Sequence, residues 1–462
     1  MSRRLWSLLA GAVLATASAC HGDRSPPAPS SLPEAEPSAP AEDLPPTRTP
    51  AEPPQSPYRR VWVVSREGSD AAKGTEQAPF RTIARALGVA EPGDLVTVKS
   101  GTYAEPLDLR VPGLRDGTAA AKITVRGEGR PRLVPAGTWA LVNVHRPHWI
   151  VEGFELDSRG QDHAGVAFTG NTQGAVLRDC EIHGGSAATA VLVSAGANGL
   201  TLEGNHIHGF SRGQEDAHGV DINPGTRDIT VRDNRIHDVS GDAIQCSGPE
   251  GFSSEPPASD LLIEGNDLSR TRENAVDIKT CHRVTVRRNQ MHDFQDALPG
   301  GCLVVIHMSA RDVVIEDNEL SRGGKGIAVG GNHVGPVPTN IVIRRNRIHG
   351  MALGDTLEGI GIRLENSENA QVVDNTLSDL QGTALVVGFG TGGPTKNARL
   401  EGNIVRGERA CSLGPFAPGF SSRRNTYVPG VSFDVLAQRA TVDLGGWQKL
   451  GFDRDAVIQA AP

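Results

Sequence analysis

The chain has 462 residues, including 55 glycines and 31 prolines; 38% of residues are hydrophobic, only 4% aromatic, and the net charge is −8 from 46 basic and 54 acidic groups. So many turn formers and so few large side chains exclude a helical bundle or a row of ordinary α/β domains, and favour thin core layers of Val, Ile, Leu and Ala repeated along the chain. Without a long basic run, that charge excludes nucleic acid as a partner.

Residues 1–20 read as an export signal. Arg3 and Arg4 precede an apolar stretch from Leu5 to Ala15 that is too short to span a membrane, followed by Ala17-Ser18-Ala19-Cys20. This resembles a bacterial lipoprotein signal, which implies a lipid on Cys20 and a place in the cell envelope, anchored to a membrane; a plain secretory leader is the alternative. Residues 21–57 are rich in Pro, Ala, Glu and Ser and read as a disordered tether.

Residues 58–121 read as a cap. A strand near Val64, a short amphipathic helix from Ile83 to Ala90 and a strand from Leu95 would close the open end of whatever follows. The run from Val64-Ser65-Arg66-Glu67-Gly68 through Ala78-Pro79-Phe80-Arg81-Thr82-Ile83 to Gly101-Thr102-Tyr103 resembles the N-terminal cap of secreted and surface β-helix proteins, many of them polysaccharide lyases.

From about residue 150 one phrase recurs: a short strand, a turn, a Val/Ile-rich strand, then asparagine. Asn205, Asn234, Asn266, Asn289, Asn318, Asn346, Asn375, Asn403 and Asn425 mark it, at solenoid spacing. Coils stacked about 4.8 Å apart would bring these amides into a hydrogen-bonded ladder. The constellation resembles a right-handed parallel β-helix of the pectate-lyase type, which implies an all-β, monomeric solenoid over residues 58–430. Residues 431–462 read as a capping tail, with Trp447 and Phe452 over the last coil.

After Cys20, the cysteines at 180, 246, 281, 302 and 411 are odd in number and irregularly spaced, so buried thiols are favoured over a single disulfide. His183, His208, His237, His292 and His349 each fall three residues after the ladder position. Because they follow the repeat, they read as a structural or solvated stack.

Residues that break the repeat carry more information. Aligned on the ladder, the strands give two outward columns: Asp221, Gln245, Asp277 and Val305, and beside it Asn223, Ser247, Lys279 and His307. Arg363 and Glu365 continue this face, and the segments Gly248 to Asp260 and Gln295 to Gly301 would form its walls. Asp242, Glu273 and Asp277 gather carboxylates on adjacent coils, an oxygen donor set suited to Ca²⁺. The arrangement resembles family 9 polysaccharide lyases, with Asn274 departing from their acidic motif. That family's catalytic lysine lies on the following strand, where this chain reads Leu303 to His307 without one.

These residues imply β-elimination on an acidic polysaccharide. Calcium would neutralise the uronate, and Lys279, its pKa lowered by nearby positive charge, or His307 would act as base. Asp221, Gln245 and Arg363 are candidate substrate contacts. Two alternatives stay open: an inverting glycoside hydrolase using Asp221 and Asp277, about 9.6 Å apart over two coils, and a noncatalytic glycan-binding surface protein.

Overall fold

The computed structural model describes residues 56–194, 196–248, 256–294, 302–331, 336–355, 357–389 and 392–460. The signal with Cys20, most of the tether and most of both expected wall segments lie outside the described residues.

Short Val/Ile-rich strands separated by tight turns cannot bury their apolar side alone, so successive coils stack. The result is three sheets of 14 strands each among the described residues, in which every strand pairs with its counterpart one coil away. Pairing is parallel throughout, apart from the final pair of the second sheet. This is the parallel β-helix expected from the repeat. One continuous apolar core runs from Val64 to Trp447 between the sheets.

The nine marker asparagines form the expected ladder. Asn205 Nδ2 donates to Asn234 Oδ1 at 2.9 Å and to the Leu177 carbonyl at 3.0 Å, while Asn234 Oδ1 also accepts the Asn205 backbone N–H at 2.9 Å. The amide-to-amide rung recurs from Asn234 to Asn425. Cys180 N–H donates into its start at 3.1 Å, and Asp453 Oδ1 accepts from Asn425 Nδ2 at 2.8 Å at its end.

Each rung stabilises a sharp bend between the first and third sheets. The residue before the ladder position is left-handed even where it is not glycine: φ is 56° at Asp233, 54° at Arg288, 56° at Asp317 and 55° at Asp374. For an L-residue that conformation costs about 1 to 2 kcal/mol, which the buried amide hydrogen bonds offset.

Both ends are closed. The N-terminal helix spans Ile83–Leu87, capped by Thr82, and buries Ile83, Ala86 and Leu87. It is shorter than the expected 83–90 because the chain turns at Gly88. At the other end, strand Ser432–Val435 meets Ala440–Asp443 antiparallel, which interrupts parallel stacking of the second sheet. Helix Leu444–Lys449 follows, placing buried Trp447 on Phe433 with ring centroids 4.8 Å apart and Phe452 4.6 Å from Trp447. Asp453 takes hydrogen bonds from Tyr427 Oη (2.9 Å) and Trp447 Nε1 (3.1 Å), joining the tail to the ladder.

One cysteine reading is corrected. Cys246 and Cys281 form a disulfide across adjacent coils, 35 residues apart with Cα atoms at 6.3 Å. Cys281 sits in the turn after its strand, so strand alignment alone does not bring it beside Cys246. Cys180 is a buried thiol, and burial pushes its pKa up to about 12.

Asn289→Ala leaves the Asn266 backbone N–H and Nδ2 without their shared acceptor. It should lower unfolding free energy by about 1 to 3 kcal/mol. Gln290→Ala, at the exposed neighbouring position, should stay within about 0.5 kcal/mol. Denaturant titration of both variants checks the difference.

Candidate functional site

The outer face of the second sheet carries the site. Strands His218–Ile222, Ile244–Cys246, Val276–Ile278, Val304–Ile306, Lys325–Val329 and Ile360–Leu364 lie side by side. Inward Val220, Ile244, Val276 and Val304 anchor them in the core. The register pairs Asp221 with Gln245, Gln245 with Asp277, Asp277 with Val305, Val305 with Ala328 and Ala328 with Arg363. The first outward column is therefore the expected one.

Asp277 is the junction of the two columns. Its Oδ1 lies 2.9 Å from His307 Nε2 and its Oδ2 lies 3.6 Å from Lys279 Nζ. Asp277 is buried, while Lys279 and His307 keep about a quarter of their side chains exposed, at 25% and 24%. Acid, amine and imidazole converge as expected, but the electrostatics around the amine differ. Burial alone would lower the Lys279 pKa; the negative charges of Asp277, Asp242 and Glu273 outweigh it and raise the value. The expectation of a lysine activated by neighbouring positive charge is thus corrected: Lys279 is held as an ammonium.

Asp242 is completely buried and committed to protein donors. Its Oδ1 accepts the Asn274 backbone N–H at 2.9 Å and Asn274 Nδ2 at 2.7 Å, and its Oδ2 accepts Gln245 Nε2 at 2.9 Å. Burial alone would raise its pKa, but His218 and Asn274 together hold the carboxyl below its ordinary value. Asn274 Oδ1 in turn accepts the Cys302 N–H at 2.8 Å. The residue that departs from the acidic motif therefore fastens three coils together. Gln245, expected as an exposed sugar contact, is only 6% exposed and acts as a tether for Asp242.

His218, Asp242 and Glu273 each place a ligand atom within 4.8 Å of the others, a spacing that a metal ion could bridge. Asp277 falls outside this group. Calcium takes six to eight oxygen donors; here one of three groups is an imidazole, and both Asp242 oxygens already accept hydrogen bonds. In this arrangement the residues do not assemble the oxygen-only calcium set expected from Asp242, Glu273 and Asp277.

Two further carboxyls are poised unusually. Burial, then the charges of Asp242 and Asp216, raise Glu273 to about 7. Burial also raises Asp221, whose Oδ1 has no hydrogen-bond partner among the described residues. Arg363 lies three coils beyond Asp277 and is clamped by Glu358 at 2.9 Å and by Glu365 at 2.6 Å. It does not reach the Lys279 patch; instead it lines a groove of about 630 Å³ with Leu353, Leu357 and Phe389.

His218 and Lys325 are the site residues that sequence alignment missed. Lys325 is buried with Nζ 2.7 Å from Glu358, in line with His218, Asp242, Asn274 and Cys302. This column lies three residues before the Asp221 column, where strict alternation points side chains inward, so the alternation gives no signal for it.

An acid whose pKa is raised on folding destabilises the fold as it ionises. The penalty from Glu273 is absent below the ordinary value of 4.5 and complete above about 7. Glu273→Gln should therefore match wild type at acidic pH and exceed it by about 1 to 3 kcal/mol at mildly alkaline pH. Denaturant titrations across that range measure the gap.

Comparisons place this geometry among known folds. A curated relative, the uncharacterized protein YwoF of Bacillus subtilis, is 24% identical over 373 residues, covering 74% of each chain. Among solved structures, the PL6 family alginate lyase AlyGC has a TM-score of 0.58 at 15% identity, over 82% of this chain and 52% of its own. The Streptococcus pneumoniae surface adhesin PfbA has a TM-score of 0.52 at 12% identity, over 74% and 86%. A mannuronic acid specific polysaccharide family 6 lyase from human gut microbiota scores 0.50 at 15% identity, over 81% and 88%. Residues 66–114 match the family described as "Protein of unknown function (DUF1565)". Residues 150–255 and 256–405, more than half of the chain, match the family described as "Right handed beta helix region", and the chain belongs to that right-handed β-helix family.

Proposed function

We propose that the outer face of the second sheet binds an acidic, uronate-containing polysaccharide and cleaves it by β-elimination. The observation that carries this reading is the junction at Asp277, with an imidazole at 2.9 Å and an ammonium at 3.6 Å. Elimination needs a positive group beside the uronate carboxylate, so that the C5 proton becomes acidic, and a base to remove that proton. Lys279, held as an ammonium, meets the first need. His307 meets the second: Nε2–H donates to Asp277, Nδ1 takes the proton, and the Asp277 carboxylate stabilises the imidazolium that forms. The C4–O bond breaks as the C4=C5 double bond forms, and the departing oxygen takes a proton from solvent.

Asp221, whose Oδ1 has no partner among the described residues, would bind a sugar hydroxyl, and Arg363 would meet sugars entering the groove along the same face. Calcium is the alternative source of charge neutralisation, and chelation separates the two readings. The proposal includes export and lipid anchoring at Cys20, which would hold the solenoid where extracellular polymers are met. Loss of membrane association in Cys20→Ala tests the anchor, and an equally soluble wild type would overturn it.

Uronate polymers, including pectin, alginate and glycosaminoglycans, are the substrates to test, with ultraviolet absorbance of the unsaturated product as readout. On the substrate that is cleaved, Lys279→Ala and His307→Ala should each lower kcat by at least about 100-fold, and chelator should leave wild-type turnover intact. Full turnover in both variants would remove the site assignment, and loss on chelation with rescue by Ca²⁺ would favour the calcium reading. New reducing ends without that absorbance would indicate the hydrolase reading, with Asp221 and Asp277 as its carboxyls. No turnover of any polymer, with binding retained, would favour a noncatalytic glycan-binding protein.

A further inference from the structure

The third sheet carries a second cluster on a different face of the solenoid. Its histidines follow a rule: the imidazole three residues after the ladder position meets the side chain one residue after the ladder position on the preceding coil. His183 meets Glu155 at 3.3 Å, His208 meets Glu181 at 3.3 Å, His292 meets Asp267 at 2.9 Å and His349 meets Glu319 at 3.1 Å. His237 is the exception. The residue it meets is His206, and the two Nε2 atoms lie 2.8 Å apart.

The surrounding bonds orient His237. His237 Nδ1 lies 2.7 Å from Asp238 Oδ2, and Arg270 grips Asp238 with Nε and Nη2, both at 2.9 Å. Arg270 Nη2 also lies 3.0 Å from His237 Nδ1, so Asp238 and Arg270 together hold the ring through its Nδ1 edge and leave Nε2 facing His206.

An imidazole oriented through Nδ1 by a carboxylate, with Nε2 aimed at a second imidazole, is the arrangement that supports metal ligands. His206 also lies beside His208, with ring centroids 4.3 Å apart, and Glu181, His206 and His208 each offer a ligand atom within 4.8 Å of the others. We propose that His206, His208, His237 and Glu181 form a binding site for a divalent transition metal of the Zn²⁺ or Ni²⁺ class. Imidazole-rich donors select such ions over Ca²⁺ or Mg²⁺. Metal–nitrogen bonds of about 2.0 to 2.1 Å require the two Nε2 atoms to separate by about half an ångström, a shift that falls to the half-buried His206 ring because His237 is buried. The ion binds Nε2 of His206 as that ring carries its proton on Nδ1, so the imidazole stays a neutral ligand. At His183, His292 and His349 a carboxylate occupies the facing position, whereas at His237 an imidazole, His206, interrupts the acidic column.

Calorimetric titration of the metal-free full chain with ZnCl₂ tests the proposal. Wild type should bind one ion at this site, and His206→Gln should lose that binding. Gln290 occupies the equivalent place on a later coil, so glutamine suits the architecture. His237→Ala should weaken binding by about tenfold or more, whereas His292→Gln and His218→Ala should leave it unchanged. Should His206→Gln fail to fold, as judged by thermal melting, His208→Gln replaces it with the same expected loss. Wild-type affinity and stoichiometry in a folded His206→Gln or its replacement, loss in His218→Ala, or no Zn²⁺ uptake by wild type would each overturn the proposal.

Discussion

The asparagine ladder is the constraint on which the rest depends. A parallel solenoid gains its core only if every coil bends sharply at the same place, and here the bend holds an L-residue at positive φ beside buried amides. One side chain with donor and acceptor on the same amide resolves both problems, because it satisfies its own turn and the next. With the bend fixed, the register of all three sheets is fixed, and side chains separated by 22 to 35 residues become neighbours. The Asp277–His307 pair and the His206–His237 pair are both products of that register.

The fold was legible because its signals repeat. Asparagines at solenoid spacing marked the bend, alternation marked the strands, and the outward column from Asp221 to Val305 followed by counting. What failed depended on the paths of side chains. Gln245 alternates outward like Asp221, yet its amide folds onto Asp242 and is buried there. Cys281 lies beyond its strand, where counting gives no partner, and it nevertheless meets Cys246. The histidine column was correctly read as following the repeat, but its one irregular member, His206, falls two residues earlier in its coil and escaped an alignment made on the others.

Charge explains how two clusters on one rod acquire different chemistry. On the second sheet, Asp242, Glu273 and Asp277 surround a single lysine, so the amine stays charged and Glu273 is pushed toward neutrality. Asn274 stands where the acidic motif would add another carboxylate and satisfies Asp242 with amide donors. On the third sheet, neighbouring imidazoles and burial keep His206 neutral. The same backbone thus presents a fixed ammonium on one face and uncharged nitrogen donors on another, through substitutions at outward positions that leave the core unchanged.

The central claim is that Lys279 receives a uronate carboxylate while His307 faces the adjacent C5. A crystal structure of the His307→Ala variant soaked with acidic oligosaccharides of defined composition tests it most directly, because binding can be observed with cleavage suppressed. The account predicts a sugar carboxylate within hydrogen-bond distance of Lys279 Nζ, with C5 of that sugar directed toward the position vacated by the imidazole. An oligosaccharide bound only at another face, or one whose carboxylate turns away from Lys279, would contradict it.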